Sequence, residues 1–382
     1  MFMRSKAIIH LDRYKKNMDS IRARVGPDRF ICVSIKANAY GHGVLEIARV
    51  SLEAGAFCFG IAMADEGIEL RKGGIKAPIL LLSQSHPDEV QKIIQAELTP
   101  FISDVEFASI LNEQAAAAKT KVPVHIKIDT GMGRNGCPIN EALSLTRHIN
   151  SCSWLKLTGT ATHLASSDSA NIQDIDYTKI QLTRFKESIT AIKAAGINPG
   201  IIHAANSGAI ILHPDSWFDM VRPGILLYGY KTAQENELPP EYKNELSNYK
   251  NLTVEPVMEL RSTVALIKKI TKGESVSYGR TWTADQDTYI GILPIGYADG
   301  LPRLVSNKWQ AVINGKTYPL VGRVCMDQCC VNLGQELNVQ RWDEAIIFGG
   351  SAPDAGELAS VVGTIPYEIT CNISGRVPRV YV

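Results

Sequence analysis

Residues 30–43 read Phe-Ile-Cys-Val-Ser-Ile-Lys-Ala-Asn-Ala-Tyr-Gly-His-Gly. The apolar run 30–35 predicts a short buried strand that ends at Lys36. In an α/β barrel the active site forms at the carboxyl ends of the strands, so a lysine in this position lies where catalysis would occur. Apolar surroundings disfavour the charged ammonium and favour the nucleophilic amine. The stretch indicates a lysine that forms a Schiff base with a carbonyl cofactor, although an isolated lysine at a strand end more often only reaches solvent.

The same pattern of a short apolar run followed by an amphipathic segment repeats between residues 10 and 245. The runs that we interpret as strands are 30–35, 57–62, 79–82, 98–102, 122–128, 155–161, 201–203 and 220–221. Longer amphipathic segments such as 105–119 and 174–195 separate them. Eight strands alternating with helices predict a (β/α)8 barrel of the TIM type.

Polar residues cluster at the carboxyl ends of these runs, which is the face where barrel enzymes build their sites. They are Lys36 after the first run, Lys127, Asp129 and Arg134 at the fifth, His163 at the sixth, Asn206 and Ser207 at the seventh, and Arg222 at the eighth. Scattered surface charges would not favour one end in this way.

Residues 231–250 are polar and contain prolines, and they are typical of a linker. Beyond them the pattern becomes strand-like, with Asn314-Gly315 as a hairpin signal. We therefore predict a barrel domain over residues 10–247 and a mainly β domain over residues 248–382. The N-terminal residues 1–9 include an apolar run that we expect to pair as a strand with the second domain.

The composition is that of an ordinary soluble protein, and the absence of export signals predicts a cytoplasmic location. Of the 382 residues 45% are hydrophobic and 21% charged, which is enough apolar material for a large core. The net charge of +1 gives no reason to expect nucleic acid or an anionic membrane as a partner. No secretory signal or membrane span is recognisable. The eight cysteines lack the spacing of a metal site, so we expect no metal and scattered free thiols.

Two stretches bear on cofactor type. The run from Gly131 to Gly136 matches G-x-G-x-x-G, but it follows the fifth strand and precedes Pro138, which argues against a dinucleotide site. Barrels frequently bind phosphate with the loops after strands seven and eight. Ser207 and the backbone amides of Gly224 and Ile225 lie in those loops and suit a phosphate.

Arg222 has a second predicted role. A guanidinium keeps its proton in proteins, so against a pyridine nitrogen it would donate a hydrogen bond and leave that nitrogen unprotonated. The ring would then be a weaker electron sink, which suits a reaction that returns a proton to Cα without side chemistry.

The sequence resembles the alanine racemase family, which uses pyridoxal 5′-phosphate (PLP). The resemblance rests on motifs that run in the family's order from about residue 7 to the C-terminus. They are Ile35-Lys-Ala-Asn-Ala-Tyr-Gly-His-Gly43, His125-Ile-Lys-Ile-Asp-Thr-Gly-Met-Gly-Arg134, Ala205-Asn-Ser207, Arg222-Pro-Gly-Ile-Leu-Leu-Tyr-Gly229, Val276-Ser-Tyr-Gly-Arg280, Gly296-Tyr-Ala-Asp-Gly300, Gly322-Arg-Val-Cys-Met-Asp327 and Pro366-Tyr-Glu368.

The resemblance implies two catalytic bases, Lys36 and Tyr278, with Tyr278 supplied by the partner subunit of a homodimer that shares its active sites. It further implies alanine as the small amino-acid substrate and D-alanine, a peptidoglycan precursor, as product. Its remaining assignments are Tyr40, Ser207, Gly224, Ile225 and Tyr367 for the phosphate, Arg222 for the pyridine nitrogen, His163 as the link from Arg222 to the tyrosine, Arg134 and Met326 for the substrate carboxylate, and Lys127 as a lysine carbamylated in many relatives.

Two bases also suit the chemistry, because racemisation removes a proton from one face of a planar carbanion and returns it to the other, and a single base would have to swing across. Asn135, directly after Arg134, is similar to broad-specificity racemases, whereas Lys127 and Asp327 resemble the alanine-specific group. Alanine is therefore the first candidate and serine the second, since an apolar pocket rejects one extra hydroxyl only weakly. A fold-related decarboxylase of basic amino acids and a non-catalytic PLP carrier remain as alternatives. The first would need a glycine cluster at the phosphate, and the second would lack the β domain.

Overall fold

A computed structural model describes residues 4–233, 238–240, 242–243 and 249–382. The predicted linker at 231–250 therefore lies partly outside the described residues. The chain divides into two compact units. One comprises residues 15–39 and 44–254, and the other comprises the N-terminal residues up to Tyr14, residues 40–43 and residues 255–382.

The larger unit contains a nearly closed parallel barrel, and the predicted (β/α)8 fold is confirmed. Its strands, in spatial order, are Met220–Val221, Phe30–Ser34, Cys58–Ile61, Ile79–Leu81, Thr99–Ile102, Val122–Asp129, Leu155–Ala161 and Ile201–His203. A two-residue strand, Cys137–Pro138, adds to Val122–Asp129. The apolar runs predict these strands because a parallel barrel strand is buried on both faces and carries few polar side chains.

Asp219 bridges the remaining gap between the last two strands. Its backbone N–H donates to the carbonyl of Ile202 at 3.0 Å, and its carboxylate accepts from the Ile202 N–H at 2.7 Å. One aspartate thus satisfies the backbone groups that a ladder of hydrogen bonds would otherwise pair. On the opposite side Met220–Val221 pairs directly with Phe30 and Ile31.

Some of the helices begin where a polar side chain accepts from a backbone N–H group that lacks a partner within the helix. The helices are Leu11–Val25, Val44–Glu53, Ala64–Lys72, Val90–Gln95, Val105–Ala117, Ala142–Ser151, Ile172–Ala194, Ser207–Leu212, Ala355–Val362 and Pro366–Cys371. The Asp104 carboxylate accepts from the N–H of Phe107 at 2.7 Å, and the Asn171 amide oxygen from that of Gln173 at 2.9 Å. These caps fix the starts of two long helices of the larger unit.

The smaller unit is mainly β, as predicted. Its six-stranded sheet has the order Lys316–Pro319, Gln310–Ile313, Glu344–Phe348, Met258–Thr263, Ser5–Ile9 and Arg379–Tyr381. Leu266–Ile270, Thr288–Leu293 and Cys329–Gly334 form a three-stranded sheet, and Ser275–Val276 pairs with Trp282–Thr283. The N-terminal strand pairs antiparallel with Met258–Thr263 and parallel with Arg379–Tyr381.

The predicted hairpin at Asn314-Gly315 is confirmed. Both residues have positive φ, 51° and 75°, which a two-residue turn of the I′ type requires. The strand after this turn, Lys316–Pro319, is short and ends at Pro319. Proline has no N–H for a ladder, and Gly322 then turns the chain with a φ of 74°.

A glycine in the barrel wall leaves room for a buried histidine. A Cβ added to Gly159 would lie 2.4 Å from Cε1 of His125 and 2.6 Å from both of its ring nitrogens. His125 is fully enclosed, so the ring has no open space to move into. We expect Gly159→Ala to lower the free energy of unfolding by about 1–3 kcal/mol through overpacking.

Urea denaturation followed by tryptophan fluorescence measures this change. Gly375→Ala is the matched control, because a Cβ there meets nothing within 4 Å and the backbone is not left-handed. An unchanged midpoint for Gly159→Ala would contradict the steric role of this glycine.

Candidate active site

Lys36 follows the first barrel strand and is itself followed by left-handed backbone. Ala37, Asn38, Ala39 and Tyr40 have φ between 51° and 54°, a conformation that costs an L-residue about 1–2 kcal/mol. Side chains and backbone of the larger unit compensate. Glu66 accepts from the Ala37 N–H at 2.6 Å, and the Asn38 side chain accepts from that of Val44 at 2.8 Å. The backbone after Lys36 is therefore strained and is held by these hydrogen bonds.

Arg222, after the last barrel strand, is buried beneath the loops at this end of the barrel. Its Nη1 lies 2.9 Å from Nδ1 of His203, and its Nη2 lies 3.1 Å from Nδ1 of His163. Nη2 also donates to the carbonyls of Thr162 and Ala204. Among these described contacts there is no carboxylate. The guanidinium is thus held by neutral acceptors, which leaves its charge uncompensated.

The tautomers of the histidines follow from the arginine. Because a guanidinium can only donate, both His203 and His163 accept at Nδ1 and carry their proton on Nε2. Nε2 of His203 then donates to Nδ1 of His125 at 2.9 Å. The result is a directed chain from Arg222 through His203 to His125.

Burial and nearby positive charge keep these imidazoles neutral. Burial, together with the charge of Arg222, lowers the pKa of His125 to about 3. Burial lowers the pKa of His203 and of His163 well below the ordinary value, and for His163 the charges of Lys127, Arg222, Arg134 and Lys36 act in the same direction. Burial also lowers the pKa of Arg222, to about 10, which still leaves it protonated at neutral pH. The site therefore combines permanent cations with neutral hydrogen-bonding rings.

Lys127 points into the same environment from the strand Val122–Asp129. It is buried, and its Nζ lies 5.3 Å from the centroid of the Phe101 ring. Burial lowers its pKa well below the usual range, and the charges of Arg222 and Arg134 lower it further, against a smaller opposing effect of Asp129. The neutral amine, a nucleophile, is thereby favoured.

Asp129 organises the glycine-containing loop that carries Arg134. One of its carboxylate oxygens accepts from the N–H groups of Gly131, Met132 and Gly133 at 2.8–3.2 Å. Partial burial raises the pKa of Asp129, but these backbone donors outweigh that effect and the net pKa is lowered. The Arg134 side chain is exposed.

The Asn135 amide lies against neighbouring loops at the same end of the barrel. Its oxygen accepts from the Ser103 hydroxyl at 3.1 Å, and its nitrogen donates to the Leu82 carbonyl at 3.4 Å. The side chain therefore braces the loops after the strands that end at Leu81 and Ile102.

The Ser207 side chain contacts the loop after the eighth strand. The Ser207 hydroxyl accepts from the N–H of Gly224 at 2.9 Å and from that of Leu226 at 3.4 Å. The helix Ser207–Leu212 starts at this point, and its preceding residue Asn206 accepts from the Ala209 N–H. These amides converge on a single oxygen, which is the arrangement that a phosphate oxygen would use.

The remaining predicted residues lie in the smaller unit. The rings of Tyr40 and Tyr367 are 5.7 Å apart. Tyr278 follows the strand Ser275–Val276 at the tip of a short hairpin and is 69% exposed. Met326 is 53% exposed, and the neighbouring Asp327 accepts from Arg376 at 2.6 Å.

The sequence did not lead us to His125 and His203. A histidine within or at the end of an apolar run is more often a satisfied core residue, and only the fold reveals that both rings connect to Arg222. For His203 the available signal is its position, because it ends the strand Ile201–His203, much as His163 closely follows the strand Leu155–Ala161.

Comparison with known proteins agrees with this arrangement. A family model described as alanine racemase, N-terminal domain, matches residues 9–232, and one described as alanine racemase, C-terminal domain, matches residues 257–381. The chain belongs to the alanine racemase family. The resemblance seen in the motifs is therefore confirmed, as is the prediction that the chain is an enzyme.

Curated relatives and a solved structure match over the full length. The alanine racemase of Treponema denticola is 45% identical, with 99% of this chain and 98% of the relative covered. That of Treponema pallidum is 41% identical, with 99% of each covered. The structure of alanine racemase from Clostridium difficile matches with a TM-score of 0.92 at 35% identity, covering 100% of this chain and 96% of that one.

The part of the chain that the structure describes offers neither a membrane-spanning helix nor a metal-binding cluster. Among them no helix has both the length and the apolar composition needed to cross a membrane. The same residues include no group of three or more histidine, cysteine or acidic side chains able to hold a metal ion.

The neutral histidines predict a pH dependence of stability. An unfolded histidine binds a proton near pH 6.5, whereas folded His125 does so only at about pH 3. The stability that depends on its neutral form is complete above the unfolded pKa and is lost as pH falls towards the folded one. We expect each such histidine to reduce the free energy of unfolding by about 1.4 kcal/mol per pH unit in this window.

Urea denaturation between about pH 7 and about pH 5 tests this expectation. His125→Gln should reduce the slope by about one proton, because the amide does not titrate. His86→Gln is the control, since that side chain is exposed. Equal slopes for His125→Gln and the unmodified protein would contradict a neutral buried His125.

Proposed function

We propose that this chain interconverts L-alanine and D-alanine with PLP, using Lys36 and the partner subunit's Tyr278 as two bases. The observation that carries the proposal is the buried Arg222, which the barrel holds with neutral imidazoles at the face where barrel enzymes bind substrate. Membership of the alanine racemase family supports the interpretation of this arrangement as the site of alanine racemisation. The full-length matches favour a racemase over the decarboxylase and carrier alternatives.

We assign the PLP-binding barrel to residues 10–247 and the β domain to residues 248–382, with residues 1–9 joined to the β domain. Support comes from the strand Ser5–Ile9, which pairs on both edges with strands beyond residue 248. We further place the enzyme in the cytoplasm as a homodimer. All eight cysteines lie in the described part of the chain, and none forms a disulfide, which is typical of a reducing compartment.

The donors in the barrel fit an anionic pyridine cofactor. Arg222 and Lys127 are buried, Arg134 adds a further charge, and the Arg222 contacts include no carboxylate among the described residues. We assign the phosphate to Ser207, Gly224, Ile225, Tyr40 and Tyr367. When bound, PLP supplies a carbonyl for linkage to a lysine amine and an electron sink that acidifies the proton on Cα.

Arg222 is assigned to the pyridine nitrogen. Arg222 remains protonated at neutral pH, so it donates a hydrogen bond and does not transfer its proton. The pyridine ring would therefore stay a weak electron sink. A weak sink favours return of the proton to Cα over competing reactions.

Lys36 and Tyr278 are assigned to opposite faces of the substrate. The charge of Lys36 contributes to lowering the pKa of His163, which supports the assignment of both residues to one site. His163 accepts from Arg222 at Nδ1 and carries a proton on Nε2, which can stabilise a phenolate. The exposure of Tyr278 supports its assignment to the site of a partner subunit.

Arg134 and Met326 are assigned to the substrate carboxylate, with Lys127 and Asp327 in support. A neutral Lys127 amine is the form that reacts with carbon dioxide, and the resulting carbamate would place a negative charge near Arg134. Asp327 is held in place by its ion pair with Arg376.

Alanine is the proposed substrate and serine the second candidate. The Asn135 amide is engaged by Ser103 and Leu82, which supports a bracing role over a role in contacting substrate. A pocket that accepts alanine through apolar contacts discriminates against one hydroxyl by only about 10²-fold.

Proton NMR in deuterium oxide, followed by chiral analysis, tests the activity. Protein loaded with PLP is mixed separately with L-alanine, L-serine, L-lysine and L-ornithine. We expect loss of the alanine α-proton signal with formation of D-alanine, and slower exchange of serine. Release of an amine from lysine or ornithine would identify a decarboxylase, and the absence of exchange in every tube would leave only a carrier.

Substitution of each proposed base separates their roles. Lys36→Ala should remove the visible absorbance band of the bound cofactor, because the amine assigned to the linkage is removed. Tyr278→Phe should retain that band while racemisation falls by about 10²–10⁴-fold, the usual contribution of a general base. Full racemisation by Tyr278→Phe would disprove the two-base mechanism.

A further inference from the structure

Tyr278 lies at the tip of a hairpin and has little packing within its own subunit to fix its direction. Its side chain is 69% exposed, and the flanking strands Ser275–Val276 and Trp282–Thr283 have only two residues each. In such a position the backbone decides where the phenol points. The conformation of residues 277–280 therefore determines whether this tyrosine can serve as a base.

That backbone is strained at Ser277. Ser277 has φ 64° and ψ −175°, a region that is essentially restricted to glycine. Gly279 and Arg280 also have positive φ, 70° and 50°. A non-glycine residue keeps such a conformation only when its surroundings impose it.

The surroundings of Ser277 do impose it. Its hydroxyl donates to the carbonyl of Arg323 at 2.6 Å and lies 3.3 Å from Sγ of Cys325. Gly322, with φ 74°, approaches so closely that a Cβ on it would lie 2.8 Å from Cβ of Ser277. The hydroxyl is thus the one side-chain group of Ser277 that ties the hairpin tip to the neighbouring segment 322–325.

The segment 322–327 is itself firmly anchored. The N–H of Gly322 donates to Asn307 at 2.6 Å, and that of Val324 donates to Ser306 at 2.9 Å. The carbonyls of Cys325 and Met326 accept from Tyr297 and Ala298. A bond to this segment therefore connects Tyr278 to a fixed support, which also carries Met326.

We propose that Ser277 is a positioning residue for Tyr278. Its hydroxyl, through the Arg323 carbonyl, holds the left-handed backbone that aims the phenol. This inference rests on the proposed role of Tyr278 as a base.

The first test is a double-mutant cycle on the PLP-loaded enzyme. Ser277→Ala removes the hydroxyl and keeps the backbone penalty, so the chain relaxes and the phenol moves. We expect kcat to fall by about ten- to hundredfold with the KM for alanine unchanged, because a misplacement of about 1 Å costs about 10²-fold. In the Tyr278→Phe background the same substitution should leave the residual racemisation unchanged, because Ser277 acts through the phenol.

Ser277→Gly separates the effect of losing the hydroxyl hydrogen bond from the effect of the backbone strain. Glycine adopts this backbone without penalty, so we expect a smaller loss of kcat than for Ser277→Ala. Ser360→Ala is the matched control. That serine also donates its hydroxyl to a backbone carbonyl, Gly356 at 3.0 Å, and is exposed on the helix Ala355–Val362. The kcat of Ser360→Ala should equal that of the unmodified enzyme.

A second readout does not depend on turnover. In holoenzyme labelled with ¹³C at tyrosine Cζ, the resonance missing from Tyr278→Phe identifies Tyr278. We expect this resonance alone to shift or broaden in Ser277→Ala and to remain unchanged in Ser360→Ala.

The outcomes separate the two proposals. Suppose that Tyr278→Phe is inactive, but Ser277→Ala has the same kcat and the same Tyr278 resonance as the unmodified enzyme. That result overturns the positioning role alone. An equal loss in both Tyr278 backgrounds also overturns it, because the effect would then be structural. A fully active Tyr278→Phe overturns the two-base mechanism and the positioning role with it.

Discussion

A buried guanidinium that cannot lose its proton constrains the mouth of this barrel. Most buried titratable groups relieve the cost of burial by becoming neutral, but burial lowers the pKa of Arg222 only to about 10. The surrounding groups must therefore accept its hydrogen bonds. Two imidazoles and two backbone carbonyls do so, and they come from different strands of the barrel and the loops that follow them. A buried charge held by neutral acceptors creates a site that favours an anion.

Burial and this charge together set the protonation states of the neighbouring groups. Burial is the larger cause of the lowered pKa of His163, His203 and Lys127, and the charge of Arg222 acts in the same direction on each. The guanidinium, which can only donate, also fixes the tautomers of the two histidines. The parallel barrel makes this possible because the ends of its strands converge on one face.

Strained backbone marks both residues that we propose as bases. Lys36 is followed by four residues with φ of 51° to 54°, and Tyr278 lies between positive-φ residues on both sides. In each case side chains hold the backbone, Glu66 and Asn38 at the lysine and Ser277 at the tyrosine. Strain of this kind persists where the direction of a side chain matters more than local stability.

The sequence by itself determined the strands of the barrel and most of the proposed site. A parallel barrel strand is buried on both sides, so its sequence is an apolar run. The polar residue just after such a run, such as Lys36, His163 or Arg222, can therefore be recognised from the sequence. The hairpin at Asn314-Gly315 could also be predicted from the sequence, because few residue pairs adopt positive φ at both positions of a two-residue turn. The order of the family motifs identified the enzyme class.

Only the tertiary structure decided which of these residues interact. His125 and His203 lie 78 positions apart, and their connection to Arg222 exists because parallel strands bring their rings together inside the barrel. The left-handed backbone after Lys36 and at Ser277 was likewise hidden, since Ala, Asn and Ser are ordinary residues whose conformation is imposed by distant partners such as Glu66 and Arg323. Local sequence records the preferences of each residue, whereas strain and shared charge depend on contacts that only the folded chain creates.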